Sequence, residues 1–378
     1  MNPKRQTIHF EKKIIDKDAL KVLKVLHKAK FEAYLVGGCI RDLLLGKRPK
    51  DFDVVTNATP EQVHKIFKRS RLIGRRFPIV HIMFSARKYI EVATFRASYS
   101  HINKGCVVRD NNYGTLKEDV FRRDFTVNAL YYDTNKSQLI DFVEGLSAIR
   151  ENKICMIGNP IDSFEEDPVR MIRAIRFEVK LEAKLDSKIS KAILIKSHLL
   201  CNIPPARLYD ECIKLFHNEK SYRVFERLIE TGLLKHLFKQ TSNSKFIKKA
   251  LNNTSERLKT KKSVTPVFLF SVFLWDSQNK YFDKLKKRNK SRFIAMNEAS
   301  EEAISRQVKQ VLMPKWLSAR VKDIWMMQHQ LEKCSSKKVV DLIANPRFRM
   351  AYDFLVLRSQ SINPELRDRA EYWTQIQQ

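Results

Sequence analysis

The spacing of apolar residues changes near Arg150, and this change divides the chain into two kinds of structure. Before it, short apolar runs such as AYLV, VHIMF and YIEVATF alternate with turns and helical stretches, one of which starts at the cap Thr59 and Pro60. Beyond it, nearly every apolar segment repeats at three or four residues, which is typical of packed helices. The sequence therefore predicts an α+β domain with a mixed sheet, followed by an all-helical region.

Polar and strongly basic stretches suggest a further division of the helical region. Residues 252–263 (NNTSERLKTKKS) and 283–292 (DKLKKRNKSR) contain few apolar residues and are expected to be linkers or exposed loops. A chain of 378 residues is long enough for two or three domains. We predict a mixed domain over 1–150 and two helical domains over 151–255 and 256–378.

The net charge indicates the kind of partner. The chain carries 72 Lys and Arg against 42 Asp and Glu, a formal charge of +30 spread along most of its length. This excess favours a polyanionic partner over a surface that is merely soluble. RNA or DNA is favoured over a membrane, because no long basic amphipathic anchor and no run of about 18 apolar residues is present.

The N-terminus and the cysteines bear on the compartment. The stretch MNPKRQTIHFEKK lacks the apolar core of a signal peptide, so a cytoplasmic protein with no membrane association is expected. The six cysteines contain no CxxC pair, which indicates neither a zinc site nor a disulfide framework, and no disulfide-linked partner. They are Cys39, Cys106, Cys155, Cys201, Cys212 and Cys334.

The stretch DFDVV places two acids in an apolar, strand-like run. In a strand, Asp51 and Asp53 point to the same face, with roughly 6.6 Å between their backbone positions. Such carboxylates repel each other and are costly to desolvate. Magnesium ions shared between the acids and a nucleoside triphosphate would remove that cost and form a two-metal site. A chance DxD in a solvated turn is the alternative.

Two glycines precede these acids between a strand and a helix. Gly37 and Gly38 let backbone N–H groups and a helix N-terminus approach phosphate, and Arg41 in the first turn reinforces this. A tight structural turn is the alternative explanation for the glycines. Gly-Gly, then Arg-Asp, then DxD soon after a short helix is much more specific than any of these parts.

The whole segment GGCIRDLLLGKRPKDFDVVTNATPEQVHKIF resembles the head-domain signature of the polymerase-beta-like nucleotidyltransferase superfamily, class II branch, which contains bacterial poly(A) polymerases and CCA-adding enzymes. The stretches IEVATFR, RRDFTVNALYYD, EDPVRMIRAIRF and IPPARLYDE match the same family in order. The resemblance spans roughly Leu35 to Leu215, and more loosely Arg347–Arg358. It implies a nucleotidyltransferase head (palm) followed by helical neck, body and RNA-binding regions.

The resemblance also implies roles for individual residues. Asp51, Asp53 and Glu91 would hold two Mg²⁺ ions, and Asp124 joins them as catalytic. Arg122 and Arg123 would contact the triphosphate of ATP, Asp124 and Asn128 would lie near the ribose, and the EDPVRMIRAIRF helix would read the base. The residues expected to contact the nucleotide are Gly37, Gly38, Arg41, Arg122, Arg123, Asn128, Glu166, Asp167, Arg170 and Arg173.

Each of these roles has a structural alternative. Glu91 could be an edge-strand glutamate that faces water, and Asp124 could cap a helix. Glu166, Arg170 and Arg173 could form an ordinary salt-bridged helix face. His81, in an otherwise apolar strand, is expected to be a structural histidine.

The catalytic motifs do not separate poly(A) synthesis from CCA addition. The stretch RLIGRRFPIVHI (71–82), IPPARLYDECIKLF and the arginine-rich helical C-terminal part resemble bacterial poly(A) polymerases. No His-Asp dipeptide exists to build the phosphohydrolase domain of some CCA-adding enzymes. Relatives often end in a long Lys/Arg-rich tail, whereas this sequence stops at EYWTQIQQ, so tight or processive RNA binding is not expected from a tail.

The resemblance therefore implies a template-independent polynucleotide adenylyltransferase that adds AMP from ATP to RNA 3′ ends, a modification that in bacteria usually promotes RNA decay. A CCA-adding tRNA nucleotidyltransferase is the first alternative. The second is a non-catalytic RNA-binding scaffold descended from such an enzyme.

Overall fold

The computed structural model describes residues 2–11, 13–74, 78–97, 113–242, 244–333 and 339–377, with the backbone alone at 102–103 and 106–107. The chain divides into two compact units. The first contains Met1–Ser163 and Leu181–Ile189, and the second contains Phe164–Lys180 and Ser190–Gln378. The prediction of an α+β part followed by a helical part is confirmed.

The first unit is built on one mixed sheet. Its strand order is β1-β10-β9-β2-β3-β6-β5-β4, in which β3 and β6 are parallel and the other pairs are antiparallel. The described strands are β1 (Lys4–Thr7), β2 (Ala33–Val36), β3 (Asp53–Thr56), β4 (Ser70–Ile73), β5 (Ile79–Met83), β6 (Tyr89–Thr94), β7 (Ile102–Asn103), β8 (Cys106–Val107), β9 (Leu130–Asp133), β10 (Gln138–Asp141), β11 (Lys153–Ile154) and β12 (Lys184–Leu185).

Helices cover the sheet and make up nearly all of the second unit. The described helices are α1 (Lys17–Lys28), α2 (Gly38–Leu44), α3 (Pro60–Ile66), α4 (Leu116–Phe121), α5 (Gly145–Arg150), α6 (Pro160–Glu166), α7 (Val169–Leu181), α8 (Ser187–Lys196), α9 (Pro205–Phe216), α10 (Ser221–Glu230), α11 (Leu234–Leu237), α12 (Lys245–Lys259), α13 (Pro266–Lys286), α14 (Arg292–Val308), α15 (Lys315–Lys333), α16 (Val339–Ala344), α17 (Phe348–Ser361) and α18 (Arg367–Ile376).

Both faces of the sheet are buried, which explains why its central strands are apolar throughout. In β3, Val54 belongs to the core that contains α1, and its neighbour Val55 belongs to the core on the other face. Successive side chains of a strand point to opposite faces, so a strand covered on both sides needs apolar residues at every position. An acidic residue at the end of such a strand is therefore unusual and indicates a role other than packing.

The strand that carries the acids is shorter than predicted. β3 begins at Asp53, so Asp51 and Phe52 precede the sheet rather than belonging to it. The expectation that both acids lie in one strand is therefore wrong for Asp51. Burial still alternates through this segment, with Asp51 and Asp53 exposed and Phe52 and Val54 buried. The buried Phe52 side chain anchors the segment and leaves both acids on the open side.

The stretch after Asp124 also differs from the helix-cap alternative. A single 3₁₀ turn at Thr126–Asn128 follows it, and the chain then enters strand β9. The Asp124 carboxylate accepts a hydrogen bond from the Phe125 N–H at 2.8 Å, within the turn rather than at a helix start. Asp124 is buried, so this corner brings a carboxyl group inside the protein.

In the second unit, the stretch predicted to be a linker at 252–263 is mostly helical. Helix α12 continues to Lys259, and the predicted boundary at 255 falls inside it. The hydroxyls of Thr254 and Ser255 donate to the carbonyls of Ala250 and Leu251, each at 3.0 Å, which satisfies these side chains inside the helix. Polar composition alone was therefore a poor guide here. The three-part domain division stays a prediction.

The second unit has an aromatic core. Phe216, Phe238, Phe270 and Phe273 pack edge to face or tilted, with ring centroids 4.8 to 6.2 Å apart. These rings come from helices α9 and α13 and from the end of α11. Much of the unusually high Phe content of the chain is therefore structural.

Two further observations concern features raised by the sequence. Cys39, Cys155, Cys201 and Cys212 are free thiols, whereas the Cys106 side chain and Cys334 lie outside the described residues. Across the described ranges, no helix has the length and apolar character needed to cross a membrane.

Gly145 fixes the position of the turn at Thr126–Asn128. Helix α5 starts at Gly145, whose N–H and that of Leu146 donate to the buried carboxylate of Asp141 at 3.0 and 2.9 Å. A Cβ atom at Gly145 would lie 2.4 Å from the Thr126 carbonyl oxygen, which is closer than real Cβ contacts. Only glycine lets α5 approach the turn this closely.

Gly145→Ala is therefore expected to destabilise the protein by about 2–3 kcal/mol, because backbone must shift to admit the methyl group. Gly46→Ala is the control: Gly46 has φ +68° but an added Cβ meets nothing within 4 Å, so the cost should be about 1 kcal/mol. Urea unfolding of both variants measures the difference. Equal losses would show that the close approach to Thr126 is not what fixes the turn.

Candidate functional site

Asp53 and Glu91 face each other across the parallel pair of strands. Asp53 begins β3, Glu91 lies in β6, and the two residues are direct register partners. Neighbours in register point to the same face of a sheet, so the two carboxylates share one side. Together with Asp51 they line an open cavity of about 360 Å³. The three acids expected to hold metal thus border the same space.

The crowding of these acids is visible in their ionisation. Part of the Asp53 residue is exposed, but the surrounding protein removes water from its carboxyl group. This desolvation, together with the negative charges of Glu91 and Asp51, raises the pKa of Asp53 to about 6. Arg123 acts in the opposite direction. Burial and the charge of Asp51 also raise the pKa of Glu91, although Arg96 opposes them. A cation bound here would remove the repulsion.

The donor set suits a hard divalent cation, because every group in it is a carboxylate. Within the described part of the chain, no three His, Cys, Asp or Glu side chains already stand close enough together to hold an ion. Asp51, Asp53 and Glu91 fit such an ion by their chemistry and by the cavity they share.

His81 is the register partner of Glu91 on the other side of β6. Its Nε2 lies 3.7 Å from Glu91 Oε2, and its ring stacks on Tyr89 with centroids 4.0 Å apart. Burial lowers the pKa of His81, which favours the neutral ring. These contacts agree with the expected structural role. Arg75, Arg76 and Phe77 of the same predicted motif lie outside the described residues.

The glycine corner lies next to the acids. Gly37 has φ +78°, a left-handed conformation that favours glycine, and its N–H donates to Leu130 O at 3.2 Å. A Cβ atom there would meet Asn128 O at 3.7 Å and Arg123 Nη1 at 3.8 Å. In the next turn, burial and the nearby Asp53 raise the pKa of Cys39 to about 12. The corner therefore brings helix α2, β3 and the Arg123–Asn128 segment together.

Arg41 is buried and bonded to other residues of the protein in this structure. Its side chain is 3% exposed, its Nη1 donates to Asn128 Oδ1 at 2.6 Å, and its Nε and Nη2 donate to Asp42 Oδ1 at 2.9 and 2.7 Å. Asn128 Nδ2 in turn lies 3.5 Å from Asp124 Oδ1. In this conformation Arg41 holds Asn128 and, through it, Asp124, so direct phosphate contact stays a prediction.

Asp119 is the main residue that the sequence analysis missed. It is completely buried, and its Oδ1 accepts from Arg122 Nε at 2.8 Å while its Oδ2 accepts from Arg123 Nη2 at 2.9 Å and from the Tyr131 hydroxyl at 2.6 Å. It lies three and four residues before the two arginines, on helix α4. That i,i+3 and i,i+4 spacing was the available signal.

The consequence is that both predicted triphosphate arginines share one buried anion. Arg123 also donates from Nε to the Tyr131 hydroxyl at 2.7 Å and reaches Asn128 O from Nη1 at 3.5 Å. Burial alone would raise the pKa of Asp119, but the charges of Arg123 and Arg122 and the Tyr131 hydrogen bond outweigh it and hold the pKa below its usual value. Arg123 is thereby held beside Gly37 and Asn128, and its charge opposes the rise in the pKa of Asp53.

The residues predicted to read the base belong to the second unit. Arg170 Nη1 pairs with Glu166 Oε2 at 2.6 Å, which is the salt-bridged face of the structural alternative. Asp167 accepts from Val169 N–H at 3.2 Å through Oδ1 and from Arg207 Nη2 at 2.6 Å through Oδ2. The Arg173 guanidinium lies 5.5 Å from the centroid of the Phe177 ring. Their role in base recognition stays a prediction.

Three segments match families of known proteins. Residues 33–155 match the poly A polymerase head domain, residues 184–245 match the probable RNA and SrmB-binding site of polymerase A, and residues 288–378 match the polymerase A arginine-rich C-terminus. Together these matches cover most of the chain.

Individual relatives agree. Poly(A) polymerase I of Haemophilus influenzae is 40% identical over 382 residues, covering 96% of this chain and 84% of its own length. A CCA-adding enzyme of Bacillus licheniformis is 37% identical over 219 residues, but covers 58% of this chain and 55% of its own length. The solved structure of the Bacillus stearothermophilus CCA-adding enzyme with CTP has a TM-score of 0.65 and 25% identity, covering 93% of this chain and 81% of its own.

The buried anion gives a stability prediction. Asp119→Asn leaves two arginines without their shared carboxylate and is expected to destabilise the protein by about 3 kcal/mol or more at pH 7. Because the folded-state pKa is below the unfolded value of about 3.9, the difference from wild type should stay constant down to about pH 4 and shrink below it. Urea unfolding at several pH values measures this.

Tyr131→Phe is the matched control, because it removes the hydroxyl that donates to Asp119 and accepts from Arg123 Nε but keeps both ion pairs. It should cost about 1–2 kcal/mol, less than the loss of the carboxylate. A variant at position 119 that is as stable as wild type at pH 7 would show that Asp119 does not hold the arginines.

Proposed function

The chain belongs to the poly(A) polymerase I family, the polynucleotide adenylyltransferases that add AMP to RNA 3′ ends without a template, and we propose that it carries out this reaction at the Asp51, Asp53 and Glu91 cavity of its first unit. The observation that supports this site most is the register of Asp53 with Glu91, which puts two carboxylates side by side, and Asp53 in turn pairs with Val36, the residue before Gly37. Such an arrangement is costly unless it binds cations.

We propose two Mg²⁺ ions as the cofactors, with Asp51, Asp53 and Glu91 as ligands. When bound there, magnesium would supply the charge that activates the attacking RNA 3′-hydroxyl and neutralises the departing pyrophosphate of ATP. The protein's own part is to hold the three carboxylates on one side of the sheet, with Phe52 buried beneath them.

The nucleotide would lie along the Gly37 corner. Arg123 is oriented by Asp119 and Tyr131, and its charge partly offsets the raised pKa of Asp53, which supports a contact between Arg123 and the triphosphate. Arg122 shares the same anion. Asp124 and Asn128, held by Arg41, would position the ribose. A preoriented guanidinium stabilises developing phosphate charge at little cost of reorganisation.

Adenine selection and RNA binding would use the second unit. Glu166, Asp167, Arg170 and Arg173 are proposed for base recognition on the family resemblance, because planar guanidinium and carboxylate groups can pair with base edges. The excess of positive charge, +30 over the chain, suits contact with the RNA backbone. RNA 3′ ends are thus the proposed substrate.

Asp51→Ala and Asp53→Ala are each expected to abolish ATP incorporation into an oligoribonucleotide, because the acids serve the metals rather than RNA docking. RNA affinity should stay within about twofold of wild type, since no phosphate contact is removed. Glu61→Ala, an exposed glutamate on α3, is the matched loss of one carboxylate and should leave tailing intact. Tailing by either aspartate variant at the wild-type rate would refute the site.

The choice between poly(A) synthesis and CCA addition has its own test. Incubation of the protein with a generic oligoribonucleotide and each nucleoside triphosphate in turn should give long tails with ATP only. The match to poly(A) polymerase I over nearly the whole chain, against 58% for the CCA-adding enzyme, supports this expectation. Addition that stops after C, C and A on transfer RNA would instead support the alternative.

A further inference from the structure

The tip of one helical hairpin in the second unit is unusually basic. Helices α13 and α14 pack on each other and are joined by only residues 287–291. Six cations fall within nine residues at this tip, with Asp283 as the acid beside them. They are Lys284, Lys286, Lys287, Arg288, Lys290 and Arg292. We call the segment from Lys284 to Ile294 the hairpin tip.

Part of this charge is compensated within the protein, and part faces solvent. Lys290 pairs with Glu298 at 2.5 Å, and Arg292 pairs with Glu332 at 3.1 Å. Among the described residues, Lys284, Lys287 and Arg288 have no ion pair with a carboxylate, and all three are exposed. The tip therefore presents uncompensated positive charge.

Two large apolar side chains stand in the same place. Phe293 is 70% exposed and Ile294 is 49% exposed, although the next residues of α14, Ala295 and Met296, are buried in the hairpin. A Phe that is left in water beside cations does nothing for the core. An aromatic face among phosphate-binding cations is the arrangement by which proteins bind single-stranded nucleic acid.

We propose that the hairpin tip binds single-stranded RNA, with its lysines and Arg288 on the phosphates and the Phe293 ring stacked on an unpaired base. This rests on the proposed function, since it concerns the same RNA substrate, and it names a contact that the overall charge does not. Bases in a duplex are stacked on each other, so only an unpaired base can take the Phe293 ring. The apolar patch of two residues is small for a membrane anchor.

The test is fluorescence anisotropy with a labelled oligoadenylate of about 16 nucleotides, long enough to cover one single-strand site. Phe293→Ala is expected to weaken binding about tenfold with an unchanged salt slope, because stacking carries no charge. Phe293→Trp should restore the affinity, whereas Phe293→Leu should not. Rescue by an aromatic residue alone separates stacking from simple packing.

The lysines are tested with a charge-matched control. Lys284→Ala with Lys287→Ala should weaken binding and lower the slope of log K against log salt by about 1.4, the value for two phosphate contacts on a single strand. Lys261→Ala with Lys262→Ala removes two exposed charges just before α13, at the opposite end of a 21-residue helix about 30 Å long. This pair should have a smaller effect on both quantities.

Three outcomes would overturn the proposal. They are a Phe293→Ala variant that binds single strands like wild type, an equal loss for Phe293→Ala on duplex RNA, and equal effects of the two lysine pairs. Co-sedimentation with phosphatidylserine vesicles is the remaining arm, and a loss there on Phe293→Ala with no loss on RNA would assign the tip to a membrane instead.

The binding assay contains no ATP and no magnesium, so its result is independent of catalysis. If wild type incorporates no ATP but Phe293→Ala still weakens RNA binding, the proposed function fails and the hairpin tip stands. If wild type makes poly(A) and Phe293→Ala binds RNA normally, the tip fails and the proposed function stands.

Discussion

The proposed site depends on carboxylates that the sheet of the first unit holds side by side despite their repulsion. Asp53 and Glu91 occupy neighbouring positions of parallel strands, and Asp51 borders the same cavity. Their mutual repulsion and the loss of solvent raise the pKa of Asp53 to about 6. Both faces of the central strands are covered by apolar cores, and Asp53 stands where strand β3 begins. The backbone register therefore brings the carboxylates together, and we propose that cations complete the site.

Positive charge is held next to this edge by a buried anion. The Asp119 carboxylate accepts hydrogen bonds from Arg122, Arg123 and Tyr131. Arg123 also donates to the backbone carbonyl of Asn128, beside Gly37. Because Asp119 is fully buried, these arginines lose little freedom on meeting a ligand. Acids that repel each other and an arginine held by Asp119 thus both lie near the glycine corner, which supports the proposed binding of a triphosphate with its metals.

The sequence predicted those parts of the fold that depend on local patterns. The strand AYLV was found as β2 with the same bounds, and the cap at Thr59 starts α3 through a capping box with Gln62. The sequence pattern did not predict that β3 starts at Asp53, because the ends of this strand depend on its pairing with β2 and β6 rather than on composition. Residues 252–259 were wrongly expected to lie outside helices, since tertiary packing overrides polarity.

The candidate site was predicted less completely than the fold. The motif residues Gly37, Asp53, Glu91, Arg123, Asp124 and Asn128 were all named, and the structure brings them into one unit. The buried position of Arg41 and the part played by Asp119 were missed, because both depend on contacts between segments far apart in sequence. Asp119 belongs to no recognised ligand-binding motif, so its spacing of three and four residues from Arg122 and Arg123 was the available sequence signal.

The most direct measurement is anomalous scattering from a crystal grown with Mn²⁺ and a non-hydrolysable ATP analogue. The expected result is manganese among the carboxylates of Asp51, Asp53 and Glu91, with the triphosphate against the Gly37 corner and Arg123. A triphosphate bound elsewhere, or acids turned away from it, would contradict the assignment of this edge of the sheet as the catalytic site.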